Sequence, residues 1–264
     1  MRRRERLVWW LVVICGVLYF FVPLLATLLF SLRERPPLQA YVNTLADPKF
    51  AGSLLYSFVI ALLTIAGSIA IIVPTAFWVR LRLPRWRPVV EFITLLPFVI
   101  PPVILVFGLI RSYSSGPLAF TGSDLGTDFL LVAAYILLSF PYMYRAVDVG
   151  LRSMDLLVMT EAAQNLGAGW LRILWQVVLP NLRTSLIGGA FLTLAIVLGE
   201  FTIATFLARP AFGPYLSLLG QNRAYEPAAV SLISFGITWI AMGFIQLLGR
   251  GRGGAGRIQV VGGR

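Results

Sequence analysis

The sequence contains no histidine, and this absence removes several classes of catalytic and metal site. Zinc sites built on imidazole, Ser-His-Asp triads and Cys-His pairs all need that side chain. The single cysteine, Cys15, cannot form a disulfide framework or a thiolate cluster within the chain. We therefore expect no catalytic residue, no metal site and no cofactor in this chain.

Lysine is almost as scarce, since Lys49 is the only one. A phosphate-binding loop of the G-x-x-x-x-G-K-[ST] type needs a lysine directly after a glycine. Lys49 follows a proline instead. If the protein uses ATP and magnesium, another subunit must bind them.

Charged residues make up only 12% of the 264 residues, whereas 58% are hydrophobic. The mean hydropathy is +0.85, which is typical of a polytopic membrane protein. The net charge of +11 lies in short groups between apolar runs, not on one solvated face, so we expect no nucleic-acid partner. The length suits a single transmembrane domain over residues 1–264.

Long apolar stretches predict an all-α membrane protein with six transmembrane helices. A helix needs about 20 apolar residues to cross a bilayer. The six stretches lie at about 7–30, 53–79, 89–110, 129–147, 185–208 and 228–249. The first is too long for the apolar part of a signal peptide and lacks a cleavage site, so it is predicted to be a retained span.

The basic residues predict the orientation. With both termini in the cytoplasm, 16 of the 22 Lys and Arg residues lie on the inner side. This is the positive-inside bias of a multi-pass membrane protein. The long connection 148–184 is then cytoplasmic, and the Gly/Arg-rich tail 250–264 is predicted to be flexible and attracted to lipid.

Prolines punctuate the third span, TLLPFVIPPVILVFGL at residues 94–109. Pro97, Pro101 and Pro102 each remove a backbone donor, which favours a bend in the helix. A bent helix that lines a translocation pathway is one interpretation of this pattern. Ordinary packing in a kinked bundle is the other.

The connection before the fifth span contains EAAQNLGAGWLRILWQVVLP, residues 161–180. Apolar residues recur at helical spacing on both sides of Gly167, and Pro180 marks the end of the pattern. We expect two short helices at an angle, joined at Gly167. Alternatives are interfacial anchors with Trp170 and Trp175 at headgroup level, or Glu161 merely at a helix N-terminus.

This stretch resembles the EAA motif of permease subunits of binding-protein-dependent ABC importers, whose pattern is E-A-A-x3-G-x9-I-x-L-P. Val177 stands where isoleucine is usual, a conservative difference. The motif covers only 20 residues, but it precedes the last two spans, as it does in that family. The resemblance implies the type I (MetI-like) ABC importer permease fold with a cytoplasmic coupling helix.

The resemblance also implies partners and roles. Two ABC ATPase subunits, a second permease subunit and an external solute-binding protein are implied, with ATP and magnesium on the ATPase. By motif position, six residues form the coupling element: Glu161, Ala162, Ala163, Leu166, Gly167 and Pro180. The small alanines would permit close approach, Leu166 would offer an apolar contact, and Gly167 would turn the chain.

Glu200, in IVLGEFTIATFL, is the only ionisable residue predicted well inside a span. Such residues usually face a bundle interior or a watery path. One interpretation is that Glu200 guides a cationic solute, and the segment GEFTIATFLARPAFGPYL resembles spermidine/putrescine permeases. The alternative is a structural role, either a hydrogen bond to another helix near the outer interface or a pair across the subunit interface. Permeases for ferric iron, thiamine, sulfate and molybdate carry similar stretches, which favours this alternative. Phosphonate is a further candidate cargo.

Two other classes compete with a permease. A polytopic membrane enzyme needs clustered carboxylates, histidines or lysines near one interface, but the eleven acidic residues are spread singly. A stand-alone channel or carrier needs no docking element. Together with the resemblance, this favours a permease subunit that forms half of the translocation pathway of a polyamine-type ABC importer in a bacterial plasma (inner) membrane. We expect that it is not itself an enzyme.

Overall fold

The computed structural model describes residues 3–117 and 119–250, and within that part all regular secondary structure is helical. The α-helices are α1 Arg3–Ser31, α2 Gln39–Ala46, α3 Pro48–Leu81, α4 Arg87–Val99, α5 Pro102–Tyr113, α6 Asp124–Arg152, α7 Leu156–Asn165, α8 Trp170–Ile173, α9 Leu179–Asn181, α10 Arg183–Gly199, α11 Thr202–Phe206, α12 Phe212–Asn222 and α13 Glu226–Arg250. A π-helix, Leu174–Val178, links α8 to α9. The all-α fold class is thus confirmed.

The described residues form two compact units. One contains the chain up to Gly52 together with Tyr215–Trp239, and the other contains Ser53–Pro214 and the residues from Ile240 onward. In the first unit, the Tyr215 hydroxyl donates to Asp47 Oδ2 at 2.9 Å, which ties α12 to the end of α2. The single domain stays a prediction, and the predicted tail beyond Arg250 lies outside the described residues.

Three helical segments of the described chain are long and apolar enough to cross a membrane: Val8–Ser31, Pro48–Leu81 and Asp124–Arg152. They correspond to the first, second and fourth predicted spans. The third predicted span is a bent pair of helices. The fifth, 185–208, is not one helix, because the chain breaks at Glu200 between α10 and α11. The sixth corresponds to α13, in which Glu226–Ile240 forms a shorter apolar stretch.

The third span breaks at its prolines. The helical segments Pro84–Val99 and Pro102–Tyr113 meet at 98°. Ile100 is extended at φ −87° and ψ 114°, as expected for a residue before proline, and Pro102 begins α5 where a missing N–H costs nothing. The predicted third span, 89–110, is therefore formed by two helices, and the predicted bend lies at the prolines between them.

Helices α6 and α10 pack closely because glycine lies where they meet. A Cβ built on Gly189 of α10 would lie 2.7 Å from the Met143 sulfur and 3.1 Å from the Ala146 Cβ. A Cβ on Gly150 of α6 would lie 2.5 Å from the Ser185 Oγ. Small residues allow helix backbones to approach where lipid offers no hydrophobic driving force.

Two apolar clusters fill the second unit. One surrounds Leu131 and Tyr135 on α6, and the other surrounds Phe77 on α3 and Val147 on α6. The second cluster also contains Leu156, Ile173 and Val178 from the connection between α6 and α10. That connection is therefore anchored to the helix bundle by buried side chains.

Replacing Gly189 with valine should destabilise the chain. The branched side chain would collide with Met143 and Ala146, and overpacking of this kind costs about 1–3 kcal/mol. Thermal unfolding of the detergent-solubilised protein measures the effect. Gly188→Val is the matched control, because a Cβ at Gly188 meets nothing within 4 Å. Equal melting temperatures for the two variants would contradict the packing.

Candidate functional site

Helix α7 contains the first residues of the EAA motif, and it has one buried face and one exposed face. Leu156 and Thr160 are buried, and Ala163 packs against the same apolar cluster, at the spacing i, i+4, i+7 of one helix face. Glu161 and Ala162 are exposed on the opposite face. The structure thus separates the two alanines: Ala163 holds the helix to the bundle and Ala162 faces outward.

Asp155 begins this helix, since its side chain accepts a hydrogen bond from the Val158 N–H at 3.3 Å. Glu161 lies in the middle of α7, so it is not a residue of the helix N-terminus. That alternative interpretation of Glu161 is wrong.

Gly167 ends α7 in a Schellman turn. Its φ is +79°, the left-handed conformation that only glycine adopts without strain. Its N–H donates to the Gln164 carbonyl at 2.8 Å, and the Ala168 N–H donates to the Ala163 carbonyl at 3.0 Å. The two predicted short helices joined at Gly167 are therefore present.

The second arm of the segment, Trp170–Asn181, contains the π-helix just before Pro180. Pro180 cannot donate to the carbonyl one turn back, and its ring crowds that carbonyl, which favours a widened turn. The Asn181 side-chain amide donates to the Val177 carbonyl at 2.7 Å. This arm meets α10 at 77°. Pro180 therefore lies next to a bend between two helices, and the helical structure continues after it.

Trp170 attaches this arm to the end of α3. Its ring lies 4.8 Å from the ring of Trp78, and the Arg82 guanidinium lies over it at 5.4 Å. Trp170 is half-buried in this packing, and its place at headgroup level stays a prediction. Trp175 is exposed.

The outer surface of the segment carries unpartnered apolar side chains. Leu166, at the turn, is 88% exposed, and Leu157, Val158 and Leu171 are also exposed. Single exposed apolar residues are ordinary, but here they project from a rigid, anchored turn. A surface of this kind is suited to contact with another protein.

Glu200 lies between α10 and α11 and is held by donors within this chain. Its Oε1 accepts the Ile203 N–H at 2.8 Å. Its Oε2 accepts the Tyr135 hydroxyl at 2.9 Å and the Ala204 N–H at 3.3 Å. The carboxylate thus satisfies free backbone donors at the start of α11, which was not predicted. Its bond to Tyr135 on α6 is the hydrogen bond to another helix that the structural alternative describes.

Pro97 is buried, whereas Pro101 and Pro102 lie at the bend between α4 and α5. A cavity of about 700 Å³ lies among α4, α6 and α10. Among the residues described, its lining includes Leu95 and Phe98 of α4 but neither Glu200 nor any of the three prolines. The proposed pathway role of these four residues stays a prediction.

Sequence reasoning missed an ion-pair cluster at the ends of α3, α4 and α6. Asp148, with only 8% of its side chain exposed, lies 2.6 Å from Arg152, 3.4 Å from Arg87 and 3.6 Å from Arg80. Glu91 pairs with Arg87 at 2.8 Å. The i,i+4 spacing of Asp148 and Arg152 is visible in the sequence, but the other partners come from separate helices.

A second missed cluster lies at the opposite end of α6. Arg209 contacts Asp124 at 2.6 Å and Asp128 at 2.7 Å, and Tyr56 donates to Asp128. Burial alone would lower the pKa of Arg209, but hydrogen bonds to Tyr56 and Asp124 and the charge on Asp128 raise it above its ordinary value. The guanidinium therefore stays charged and fixes the connection between α11 and α12.

Comparison with known proteins assigns the family. Residues 68–251 match the family described as "Binding-protein-dependent transport system inner membrane component". The chain belongs to this family. By this description it is a membrane component of a binding-protein-dependent transport system.

Several curated relatives are similar to this family member. The molybdenum transport system permease protein ModB of Escherichia coli K12 is 32% identical over 148 residues, which cover 52% of this chain and 60% of ModB. The alignment thus spans less than two thirds of ModB. The putative 2-aminoethylphosphonate permease PhnV of Salmonella typhi is 26% identical, with 86% and 88% covered. The spermidine/putrescine permease PotB of Haemophilus influenzae is 26% identical, with 51% and 50% covered.

The fold is shared with solved ABC transporters. A chain of a bacterial ABC transporter involved in the import of alginate aligns with a TM-score of 0.71 and 14% sequence identity. The alignment covers 94% of this permease and 96% of that chain. At this identity the likeness concerns the fold, and it confirms the MetI-like permease architecture.

Replacing Gly167 with alanine should loosen α7. A left-handed conformation costs a non-glycine residue about 1–2 kcal/mol, which corresponds to roughly 5- to 30-fold faster amide exchange by local opening. Hydrogen exchange followed by mass spectrometry would measure this over Leu156–Asn165. Gly169→Ala serves as the control, because Gly169 has a φ of −73° and open space around it. Similar exchange in both variants would show that the turn does not need glycine.

Proposed function

We propose that this permease forms half of a translocation pathway and couples it to cytoplasmic ATPase subunits through residues 156–181. This assignment is supported by Leu166, an exposed apolar side chain at the turn of a segment whose two arms are anchored to the helix bundle. The complete assembly would contain two ATPase subunits, this chain, a second permease that is identical or homologous, and a solute-binding protein on the outer side. ATP and magnesium would be held by the ATPase subunits.

The coupling role is supported by the arrangement of the two arms. Leu156, Ile173 and Val178 fix both arms to the apolar cluster that contains Phe77 and Val147. A push on the exposed tip at Leu166 would therefore move α3 and α6 instead of deforming a loop. Packed interiors transmit displacement because they have few voids into which a side chain can yield.

We place this segment and both termini in the cytoplasm on the basis of the basic residues. The cluster around Asp148 gathers three arginines at the same end of α6 as the coupling segment. Basic residues collect on the inner side of the plasma membrane. The end of α6 that contains Asp124 would then face the binding protein.

We infer that the cargo is a small tetrahedral oxyanion or phosphonate. Relatives named for molybdenum and for 2-aminoethylphosphonate support this inference, and PhnV is similar over most of both chains. The position of Glu200 points the same way. Its carboxylate is already bonded by three donors within the chain, which leaves it poorly placed to attract a cation.

Polyamine is the alternative cargo. It is favoured by the similarity to PotB and by the resemblance of the segment around Glu200 to spermidine/putrescine permeases. The solute that co-purifies with the partner binding protein would distinguish the two. A bound oxyanion or phosphonate supports our assignment, whereas bound spermidine or putrescine contradicts it.

Cysteine cross-linking tests the coupling contact directly. Cys15 is the only native cysteine, so a Cys15→Ser background leaves one introduced thiol. Leu166→Cys should form a disulfide with a cysteine placed on the permease-facing surface of the ATPase subunit, and ATP should change its yield. Leu125→Cys, 83% exposed at the opposite end of α6, should not cross-link. Equal yields at both positions would contradict the assignment.

Substitution of Glu200 by glutamine tests its role. The change removes a charged acceptor from a site with three donors, and we expect a loss of about 1.5–3 kcal/mol in stability without a change in cargo preference. Tyr135→Phe, which removes one donor, should cost less. Melting temperature and uptake by the reconstituted assembly are the measurements. An altered preference between anionic and cationic cargo would show that Glu200 acts on the solute.

A further inference from the structure

Arg145 differs from the arginines of the two ion-pair clusters. It lies on α6, seven residues before Arg152 at the helix end, which is about 10 Å at a rise of about 1.5 Å per residue. Among the residues that the structure describes, none forms an ion pair or a hydrogen bond with the guanidinium of Arg145. A charged side chain inside a span is costly, and such residues usually face a bundle interior or a water-filled cavity.

The surroundings of Arg145 include the cavity of about 700 Å³ among α4, α6 and α10. Arg145 lines this cavity together with Leu95, Phe98, Tyr142 and Leu192. The side chain of Arg145 is exposed, so the guanidinium can meet a solute in this space.

The carboxylates in the lining do not neutralise Arg145. Glu91 is engaged by Arg87 at 2.8 Å, and Asp148 is engaged by Arg152 at 2.6 Å. Asp148 is also within ion-pair distance of Arg80 and Arg87. The acidic groups at the cavity are thus already paired, and Arg145 supplies positive charge that no described residue balances.

We propose that Arg145 is a specificity-determining residue that attracts the anionic cargo into the inner half of the pathway. This inference rests on the proposed function and deepens it, since it names a group in this chain for the oxyanion or phosphonate class. Guanidinium is suited to this cargo because its planar N–H groups match tetrahedral oxyanions and it stays charged at all physiological pH values. The apolar walls strengthen the attraction by excluding water.

Transport by the complete assembly in proteoliposomes is the first test. We expect Arg145→Gln to lower uptake of molybdate, sulfate or 2-aminoethylphosphonate at least about tenfold, with Arg145→Lys retaining part of it. Arg85→Gln is the control, since Arg85 is exposed on the turn before α4. Uptake by Arg145→Gln within twofold of the unaltered chain would overturn the role of Arg145. An unaltered assembly that carries spermidine but none of these anions would instead overturn the proposed cargo.

A second measurement does not depend on cargo. In the Cys15→Ser background, Leu192→Cys places one thiol on the cavity wall. Anionic and cationic methanethiosulfonate reagents would then report the local potential, in the complete assembly, through the ratio of their reaction rates. Arg145→Gln should lower the anionic-to-cationic ratio by about threefold or more. An unchanged ratio would show that Arg145 faces lipid or headgroups and not the cavity.

Discussion

Backbone groups that a helix break exposes cannot be satisfied by lipid, and this constraint governs the whole chain. At Glu200 the chain leaves α10, and the carboxylate accepts the N–H groups of Ile203 and Ala204. Ser57 accepts the Phe212 N–H at 2.8 Å where α12 begins. Polar side chains near these helix breaks thus accept hydrogen bonds from backbone N–H groups that the break leaves free.

The same constraint separates structural from functional charges. Asp148 and Arg209 are charged groups with partners on neighbouring helices, and they hold helix ends together. Arg145 lacks such a partner among the described residues and lines a cavity. A charge that the fold does not use is available to a solute, and this distinction underlies the role proposed for Arg145.

Much of the coupling segment could be predicted from sequence, because its signals are local. Helical periodicity gives both arms, and the left-handed turn at Gly167 follows from a glycine that ends an apolar pattern. The partners of Asp148 could not be predicted, since Arg80 and Arg87 come from different helices whose ends converge only in the folded chain. Likewise, the sequence marks Glu200 as unusual, but its capping role depends on the break after Gly199, which no local pattern marks.

The central claim is that ATP-driven motion enters through the α7 turn, which is held by Leu156 and Thr160 and displays Leu166. Hydrogen exchange of the permease, with and without its ATPase subunits, tests this most directly. We predict that the ATPase slows exchange over Leu156–Asn165 and the turn at Gly167 at least about tenfold. Unchanged exchange there, with protection appearing only in other segments, would contradict the account.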